Sequence, residues 1–359
     1  MLAEILSAHW PAYVAKFGRL IPAEQHAAVR AILRCRTPAL GGQRYRCACG
    51  REHFAYHSCN HRACPRCGRD DAAEWLAKQR ARLLPVPYFL VTFTLPEQLR
   101  EPVRAAMKPW YGALLKESAV ALQDLASQPK HLGAELGPTA LLQTWTRDLR
   151  YHPHVHVLVP GGGLTSNRLR WMRVPDPEFF LPQVKLAARF KGRLQAWLKQ
   201  HAPKLYQQVP AKVWWLKWVA DVQPVGSGEA ALKYLANYLV KPPLHESQIE
   251  HWDARNVTFR YRENGGTQKN CTVSGGEFVR RFLQHVLPKG FQRVRHYGWR
   301  GAAAKNKWAR ILALLDWKCP EWMKPEAAPA PRCPACGKPM FLLGTLPRAP
   351  TERRWPVRA

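Results

Sequence analysis

The sequence predicts an α+β fold in which a small helical and cysteine-rich module precedes a larger region of strands and helices. Three observations carry this prediction. Residues 1–40 have Ala and Leu at helical spacing, and residues 43–68 are rich in cysteine and histidine. Beyond them, runs of β-branched and aromatic residues alternate with longer amphipathic stretches, as in strands that alternate with helices.

The elements of the first half can be placed in order. Residues 1–40 are predicted to be helical with a break at Pro38, and DDAAEWLAKQRARLL is predicted to be a helix with aspartate at its start. PYFLVTFTLP predicts a strand that Pro96 ends, and a long helical region follows over residues 98–126. ALLQTWTRDLRYHPHVHVLVP predicts two strands that a short polar turn joins.

The second half continues the alternation. An amphipathic helix is predicted over residues 183–200, a strand in VWWLKWVADVQPV, and a helix in GEAALKYLANYLVKPP, which two prolines end. NVTFRYRENGGTQKNCTVS predicts a β-hairpin that turns at residues 264–266, and GGEFVRRFLQHVLPKG predicts a short basic helix. From residue 319 onward the chain is rich in proline, and we expect no regular structure there except around CPACG.

The basic composition predicts a polyanionic partner. The chain of 359 residues has 55 Lys and Arg against 25 Asp and Glu, which gives a formal net charge of +30. Such a charge favours nucleic acid, because lysine and arginine neutralise phosphates and release their counterions. Aromatic residues make up 11% of the chain and offer surfaces on which bases can stack.

The amino terminus has no signal peptide pattern, since Glu4, His9 and Lys16 interrupt any apolar run. No stretch approaches the roughly 18 apolar residues of a membrane helix. We therefore expect a soluble, cytosolic protein that has no membrane partner. In that reducing compartment the ten cysteines are expected to bind metal rather than to form disulfides.

The segment RCACGREHFAYHSCNHRACPRCG predicts a structural zinc site. In a Cys-x-x-Cys-Gly knuckle two thiolates hold one ion and the glycine permits the tight turn. Cys59 is a further candidate, and His53, His57 and His61 are alternatives for the fourth ligand. A second knuckle with Cys333 and Cys336 is a candidate for another zinc ion, which Cys319 could join. The predicted ligands of the first zinc ion are Cys47, Cys49, Cys64 and Cys67.

The stretch HPHVHVLVP predicts a second kind of metal site. Residues two apart share one face of a strand, so His154 and His156 point one way while the intervening valines point into a core. Two imidazoles leave a cation under-coordinated. If the preceding strand pairs with this one, Gln143 lies near one of the histidines, and its amide oxygen suits Mg²⁺ or Mn²⁺ better than zinc. The alternative is a cross-strand polar residue beside two histidines that bind no metal.

The helix in KYLANYLVKPP presents two faces. At about 100° per residue, Tyr234, Tyr238 and Lys241 fall within an arc of about 60°, whereas the leucines occupy another arc. Beside a divalent cation, a phenolate on the first face can attack a phosphodiester and hold its 5′ end covalently. Lys241 would stabilise the phenolate or bind phosphate. The alternative is that both tyrosines lie at the edge of the core.

These motifs resemble those of a known family. FTLP (93–96), HPHVHVLVPGGG (152–163) and YLANYLVKPP (234–243) resemble the motifs of HUH single-strand endonucleases. Their order is that of the two-tyrosine transposases of the insertion-sequence-ninety-one type. SCNHRACPRC (58–67) resembles the family's zinc-binding domain, and residues 277–298 resemble its carboxy-terminal segment.

The resemblance implies an antiparallel sheet with helices on one face, the histidines on a central strand and the tyrosines on a packed helix. It implies a transposase that nicks and rejoins single-stranded DNA at element ends by a rolling-circle route, through 5′-phosphotyrosine intermediates and without a nucleotide cofactor. By position, His154 and His156 match the catalytic metal pair, and Tyr234 and Tyr238 match the nucleophiles. Zinc would be structural and Mg²⁺ or Mn²⁺ catalytic.

The resemblance also gives each region of the chain an expected role. Residues 1–84 would be a helical and zinc-binding module that grips DNA, and residues 85–248 the HUH nuclease domain. Residues 249–318 would be a basic segment that contacts DNA, and residues 319–359 a proline-rich tail with a second candidate zinc knuckle.

Two other functions fit the same motifs. A plasmid rolling-circle replication initiator would use the same chemistry at a plasmid origin. A catalytically silent zinc-containing DNA-binding protein would keep the fold and lose the reaction, although His154, His156 and both tyrosines are intact. A retroviral-type transposase with three carboxylates is disfavoured, because the acidic residues do not cluster.

Overall fold

The structure is a computed structural model. It describes residues 1–67, 69–240, 243–263, 266–321 and 330–349, without the side chains of residues 69–73 and 237–240. Within these ranges, helices and antiparallel sheets are both extensive, which confirms the predicted α+β class.

The helices occur throughout the chain. In order, they are α1 (Leu2–Phe17), α2 (Ala23–Arg34), α3 (Arg69–Arg80), α4 (Arg100–Ala105), α5 (Met107–Ala126), α6 (Gln183–His201), α7 (Pro203–Gln207), α8 (Glu229–Val240), α9 (Gly275–Leu283) and α10 (Lys305–Leu314). None of the described helices is long and apolar enough to cross a membrane.

The strands form several antiparallel sheets. In order, they are β1 (Gly42–Arg46), β2 (Glu52–Tyr56), β3 (Tyr88–Thr94), β4 (Thr139–Trp145), β5 (Tyr151–Pro160), β6 (Gly162–Leu164), β7 (Trp171–Arg173), β8 (Val219–Pro224), β9 (Ile249–Trp252), β10 (Asn256–Arg262), β11 (Gln268–Ser274), β12 (Val294–His296) and β13 (Phe341–Leu346).

The packing of the described residues divides the chain into two units. One unit contains residues from the ranges 1–71, 241–286 and 323–359, and the other contains residues from 72–240 and 287–322. Each unit is therefore built from separated stretches of chain. The functional roles expected for residues 1–84, 85–248, 249–318 and 319–359 remain predictions.

The second unit is organised around a sheet with the strand order β12-β4-β5-β3-β8. All of its neighbouring strands are antiparallel, and β5 occupies the middle position. The residues of β5 are buried almost without exception, since strands pair with both of its edges and side chains cover both of its faces.

Helices cover both faces of this sheet in the second unit. Val155, Val157 and Val159 belong to the core beneath α5 and α6, whereas Leu158 belongs to a separate core with residues of α8 and α10. The resemblance implied helices on one face only. The difference has a physical reason, because a central strand with apolar side chains on both sides needs both faces covered.

The first unit combines helices with two small sheets. In it α1 packs against α9, and β9, β10 and β11 form a sheet in which β10 is central. The close approach of α1 and α9 depends on Gly275, since a Cβ atom there would lie 2.1 Å from the ring of His9. The other sheet has the order β13-β1-β2.

Two predicted elements differ from the structure. In VWWLKWVADVQPV only Val219–Pro224 is a strand, and Ala211–Trp215 is a 3-10 helix. The indole rings of Trp214 and Trp218 stack there at 5.7 Å, and Trp218 packs on Phe190 of α6. Strand β13 lies in the tail that was expected to be largely irregular, where β1 supplies its hydrogen-bonding partner.

Candidate functional site

Neighbouring strands of the central sheet bring three polar side chains together. His154 and His156 lie on β5, and β4 pairs with β5 so that Gln143 stands opposite His154. The side chains of the three residues are buried in the second unit. The predicted meeting of Gln143 with a histidine across the strand pair is therefore observed.

The donor atoms converge. The Nε2 atoms of His154 and His156 are 3.1 Å apart, and the Oε1 atom of Gln143 is 3.1 Å from Nε2 of His156. Neighbouring ligands of an octahedral Mg²⁺ ion, bound at about 2.0–2.1 Å, lie about 2.9 Å apart. The spacing of the three donors therefore suits one divalent cation.

The opposite sides of these groups are fixed by hydrogen bonds. Nδ1 of His154 is 2.8 Å from the carbonyl oxygen of His152, and Nδ1 of His156 is 3.0 Å from the hydroxyl of Thr92 on β3. The Gln143 amide nitrogen donates to the carbonyl of Trp145 at 3.1 Å, which directs Oε1 toward the histidines. Such outer contacts orient metal ligands and set the imidazole tautomer.

Burial keeps both imidazoles neutral. It lowers the pKa of His154 to about 4 and the pKa of His156 to about 3. A neutral imidazole whose Nδ1 carries the proton presents a lone pair at Nε2, which is the form that binds a metal. Two nitrogens and an amide oxygen form a donor set of intermediate hardness, which Mn²⁺ and Mg²⁺ both accept.

Helix α8 places a phenol beside this group. The rings of Tyr234 and His156 have centroids 5.7 Å apart and are nearly perpendicular, and Tyr234 is 38% exposed. Leu232 and Leu235 are buried against the sheet, as the predicted leucine face requires. The side chain of Tyr238 and the whole of Lys241 lie outside the described residues.

The start of α8 is set by a close backbone approach. Gly228 has φ +77°, and a Cβ atom there would lie 2.7 Å from the ring of Tyr88 on β3. Glu229 in the first turn pairs with Arg80 at 2.9 Å. These contacts determine the position at which α8 begins after β8. They therefore help to determine where Tyr234 lies relative to the sheet.

Eight cysteines of the first unit form two groups of four, and neither group is the predicted set. In the first group the thiols of Cys35 and Cys67 are 3.3 Å apart and those of Cys59 and Cys67 are 3.5 Å apart. Four thiolates at about 2.3 Å from a tetrahedral zinc ion lie about 3.8 Å apart. The geometry therefore fits zinc, with the donor atoms Sγ of Cys35, Cys59, Cys64 and Cys67.

The second group contains Cys47, Cys49, Cys333 and Cys336. The expectation that Cys47 and Cys49 complete a site with Cys64 and Cys67 is therefore wrong. The turn between β1 and β2 holds the first pair, and the pairing of β1 with β13 brings the carboxy-terminal knuckle to it instead. Cys319 belongs to neither group, and the same holds for the histidine alternatives to a fourth ligand.

Sequence analysis missed two residues of these sites, Cys35 and Thr92. Cys35 follows α2 and has no neighbouring cysteine, so its only signal was its place just before the cysteine-rich segment. Thr92, which holds His156, stands opposite it in the β3–β5 pair. No motif distinguishes this threonine from its neighbours, and only the strand register reveals it.

Two protein-family models match regions of this chain that contain the residues described above. A family described as putative transposase matches residues 137–307, which include His154, His156 and α8. A family described as transposase zinc-binding domain matches residues 5–95, which include the first cysteine group. No solved structure matches the chain.

Two relatives match most of the chain. A putative transposase of Sinorhizobium fredii is 35% identical, and the match covers 93% of this chain and 92% of the relative. The transposase for insertion sequence element IS801 of Pseudomonas savastanoi pv. phaseolicola is 28% identical, over 75% of this chain and 68% of that protein. The chain therefore belongs to the transposases of the insertion-sequence-ninety-one type, and it carries that family's amino-terminal zinc-binding domain.

Proposed function

We propose that this transposase nicks and rejoins single strands of DNA at the ends of its element, through 5′-phosphotyrosine intermediates and by a rolling-circle route. One observation carries the proposal. Nε2 of the buried His156 lies 3.1 Å from both Nε2 of His154 and Oε1 of Gln143, beside the partly exposed ring of Tyr234.

His154, His156 and Gln143 would hold a Mg²⁺ or Mn²⁺ ion, which polarises the scissile phosphate when it is bound. The residues around the ligands contribute independently of the ion. The carbonyl of His152 can only accept, so it keeps the proton of His154 on Nδ1, and the hydroxyl of Thr92, 3.0 Å from Nδ1 of His156, can accept a proton from that atom when Nε2 faces the ion. The donor atoms are thus in place before the cation arrives, so no reorganisation is needed when DNA binds.

Tyr234 is the proposed nucleophile that the structure describes. Its phenol oxygen attacks the phosphorus, and the bond from phosphorus to the 3′-oxygen of the preceding nucleotide breaks. The phenol loses its proton and the departing 3′-oxygen gains one, so the products are a free 3′-hydroxyl and a 5′-phosphotyrosine. Attack of a 3′-hydroxyl on this ester rejoins a strand and regenerates the phenol.

Tyr238 and Lys241 complete the proposed machinery. Tyr238 follows Tyr234 by one helical turn of α8, so two covalent attachments are available on one helix. Lys241 would lower the free energy of the phenolate, whose unperturbed pKa is about 10. The formal net charge of +30 favours a DNA partner, and Arg100 contacts His152 at 3.2 Å beside the metal-facing histidines.

The test uses oligonucleotides from the element ends that carry a label at the 3′ end. Wild-type protein should form a covalent adduct on a denaturing gel in Mg²⁺ or Mn²⁺, and His154→Ala should form none while it still binds the strand. His201→Ala is the matched control, since His201 is exposed on α6 and stacks on Trp197. Equal adduct from wild type and His154→Ala would overturn the metal assignment.

The same assay distinguishes the proposed function from the two alternative functions. A silent DNA-binding protein would give no adduct with any strand, whereas a plasmid replication initiator would cleave an origin and leave element ends intact. Cleavage of element ends without rejoining would contradict the strand-transfer step alone.

A further inference from the structure

We propose that the chain binds a second structural zinc ion, distinct from that of the first cysteine group, which ties its carboxy-terminal segment to the β1–β2 hairpin. Two of the ligands lie outside both regions that match family models, which are residues 5–95 and 137–307. The proposed ligands are Cys47, Cys49, Cys333 and Cys336.

The sulfur positions support a tetrahedral ion. The thiols of Cys47 and Cys336 are 3.3 Å apart, those of Cys49 and Cys333 are 3.7 Å apart, and those of Cys49 and Cys336 are 3.8 Å apart. Zinc–thiolate bonds of about 2.3 Å place sulfurs about 3.8 Å apart. A disulfide would need a separation of about 2.05 Å, so these four thiols are spaced for a shared ion.

Each of the two cysteine pairs lies in a backbone turn that a glycine closes. The amide of Gly50 donates to the carbonyl of Cys47 at 2.9 Å, and the amide of Gly337 donates to the carbonyl of Cys333 at 2.9 Å. Both glycines have positive φ, +87° and +71°. Each turn thus folds back on its first cysteine and points its sulfur atoms toward the other turn, which is how two zinc knuckles face one ion.

Backbone amides also reach the sulfur atoms. The N–H groups of Cys336 and Ala335 point at the sulfur of Cys333, and the N–H group of Cys49 points at the sulfur of Cys47. Such donors stabilise thiolate, the form of cysteine that binds metal.

The apolar core around this group is small. The buried residues of its cluster are Cys47, Cys333 and Met340, with Tyr45 packed against them. In β13, by contrast, Phe341 is 65% exposed and Leu342 is 54% exposed. The apolar surface buried in this cluster is too small to offset the conformational entropy lost when the carboxy-terminal segment becomes ordered. Small modules with so little core depend on a bound metal or another crosslink for their stability.

The site therefore joins parts of the chain that are far apart in the sequence. Cys47 and Cys336 are separated by 289 positions, and the β1–β13 ladder runs from Gly42 opposite Leu346 to Arg46 opposite Phe341. An amino-terminal fragment that contains the matched zinc-binding domain would hold only the first ion. The second ion binds only after the carboxy-terminal segment has been made.

The experiment measures zinc in the full-length protein by elemental analysis after exhaustive dialysis. We expect two zinc ions per wild-type chain and one per chain in the double variant Cys333→Ser, Cys336→Ser. Cys319→Ser is the matched control, because that thiol belongs to neither group, and it should keep both ions. Hydrogen exchange over residues 330–349 should rise at least tenfold in the double variant and stay unchanged in the control.

A second measurement keeps the proposal falsifiable if the double variant fails to fold. X-ray absorption at the zinc edge of the wild type should show four sulfur ligands at about 2.3 Å for the average ion. One zinc ion in folded wild-type protein, or two in the double variant, would overturn the proposal. Nicking plays no part in these readouts, so the outcome is independent of the proposed reaction.

Discussion

Gln143 shows how one side chain becomes a specific donor at the residue scale. Its amide nitrogen is committed to the carbonyl of Trp145, which leaves the amide oxygen to face Nε2 of His156. An amide without that anchor would expose either end to the histidines with similar ease. The oxygen end is the one that a hard divalent cation prefers.

Removal of this oxygen should weaken metal binding more than DNA binding. We expect Gln143→Ala to raise the Mg²⁺ concentration for half-maximal cleavage by at least about 10-fold, because a ligand and its anchor are both lost. Titration of cleavage against Mg²⁺, with strand binding measured in parallel, checks this. Gln195→Ala, which removes an amide of α6 that donates to the hydroxyl of Tyr206 on α7, is the control. An unchanged metal requirement would contradict the assignment.

The two tyrosines of α8 should have separable roles. We predict that Tyr234→Phe and Tyr238→Phe each retain some cleavage of a single site but fail in complete strand transfer, and that the double variant forms no adduct. A single phenol must be released before it can act again, whereas two phenols can hold two strands at once. The Tyr-x-x-Lys spacing to Lys241 favours Tyr238 for the first cut.

Mass spectrometry of the trapped covalent adduct tests which tyrosine carries the DNA. Peptides from α8 should carry the DNA remnant. Tyr206→Phe, on α7, serves as the control variant and should behave as wild type. A remnant found on Tyr206 or Tyr261 would overturn the mechanism.

At the scale of elements, the position of α8 depends on its contact with the sheet. Leu232 and Leu235 of the helix share a core with Leu158 of β5 and Tyr88 of β3. The same strand, β5, carries His154 and His156 on the face that α8 covers. Apolar packing of α8 on the sheet therefore helps to set the position of Tyr234 relative to the donor atoms.

Loosening this contact should impair both stability and chemistry. Leu235 is fully buried, so Leu235→Ala should lower the free energy of unfolding by about 2–5 kcal/mol through lost burial and the cavity left behind. Adduct formation should also fall, since Tyr234 is no longer held against the sheet. Leu169→Ala, at a leucine that is 61% exposed, is the matched control for denaturant unfolding. Equal stability of the two variants would contradict the packing argument.

At the scale of the whole molecule, the charge governs the approach to DNA. The formal net charge of +30 is spread over the chain and exceeds what solubility requires. Attraction between basic side chains and the phosphates of DNA acts over a Debye length of about 8–10 Å at moderate salt. Contacts to phosphates carry no sequence information. Recognition of element ends must therefore come from other contacts.

Affinity for single-stranded DNA should fall steeply with salt. A plot of log affinity against log salt should be linear, with a slope near −0.7 for each phosphate that the protein neutralises on a single strand. Fluorescence anisotropy from low to moderate salt measures it. A scrambled strand of equal length should show nearly the same slope, because the electrostatic part does not depend on sequence. A flat dependence would mean that the charge serves another partner.

Local periodicity was enough to place much of the site. The period of two along HPHVHVLVP put His154 and His156 on one face, and the period of the helix separated Tyr234 from the leucines. Both are properties of a few consecutive residues, which explains why the structure agrees with them. The helices and most strands followed from the same kind of short-range pattern, and the strand predicted across Trp214 failed because tertiary stacking of the indoles overrode it.

The sequence by itself determined the family motifs, the faces of β5 and α8, and the supply of thiolates for zinc. Tertiary structure alone decided which thiols lie together, because Cys35 meets Cys67 across 32 positions of the sequence and Cys47 meets Cys336 across 289. It alone placed Thr92 behind His156, through the register of β3 on β5. The physical reason is that a pattern reports the local direction of side chains, whereas partners distant in sequence meet only through strand pairing and packing of the whole chain.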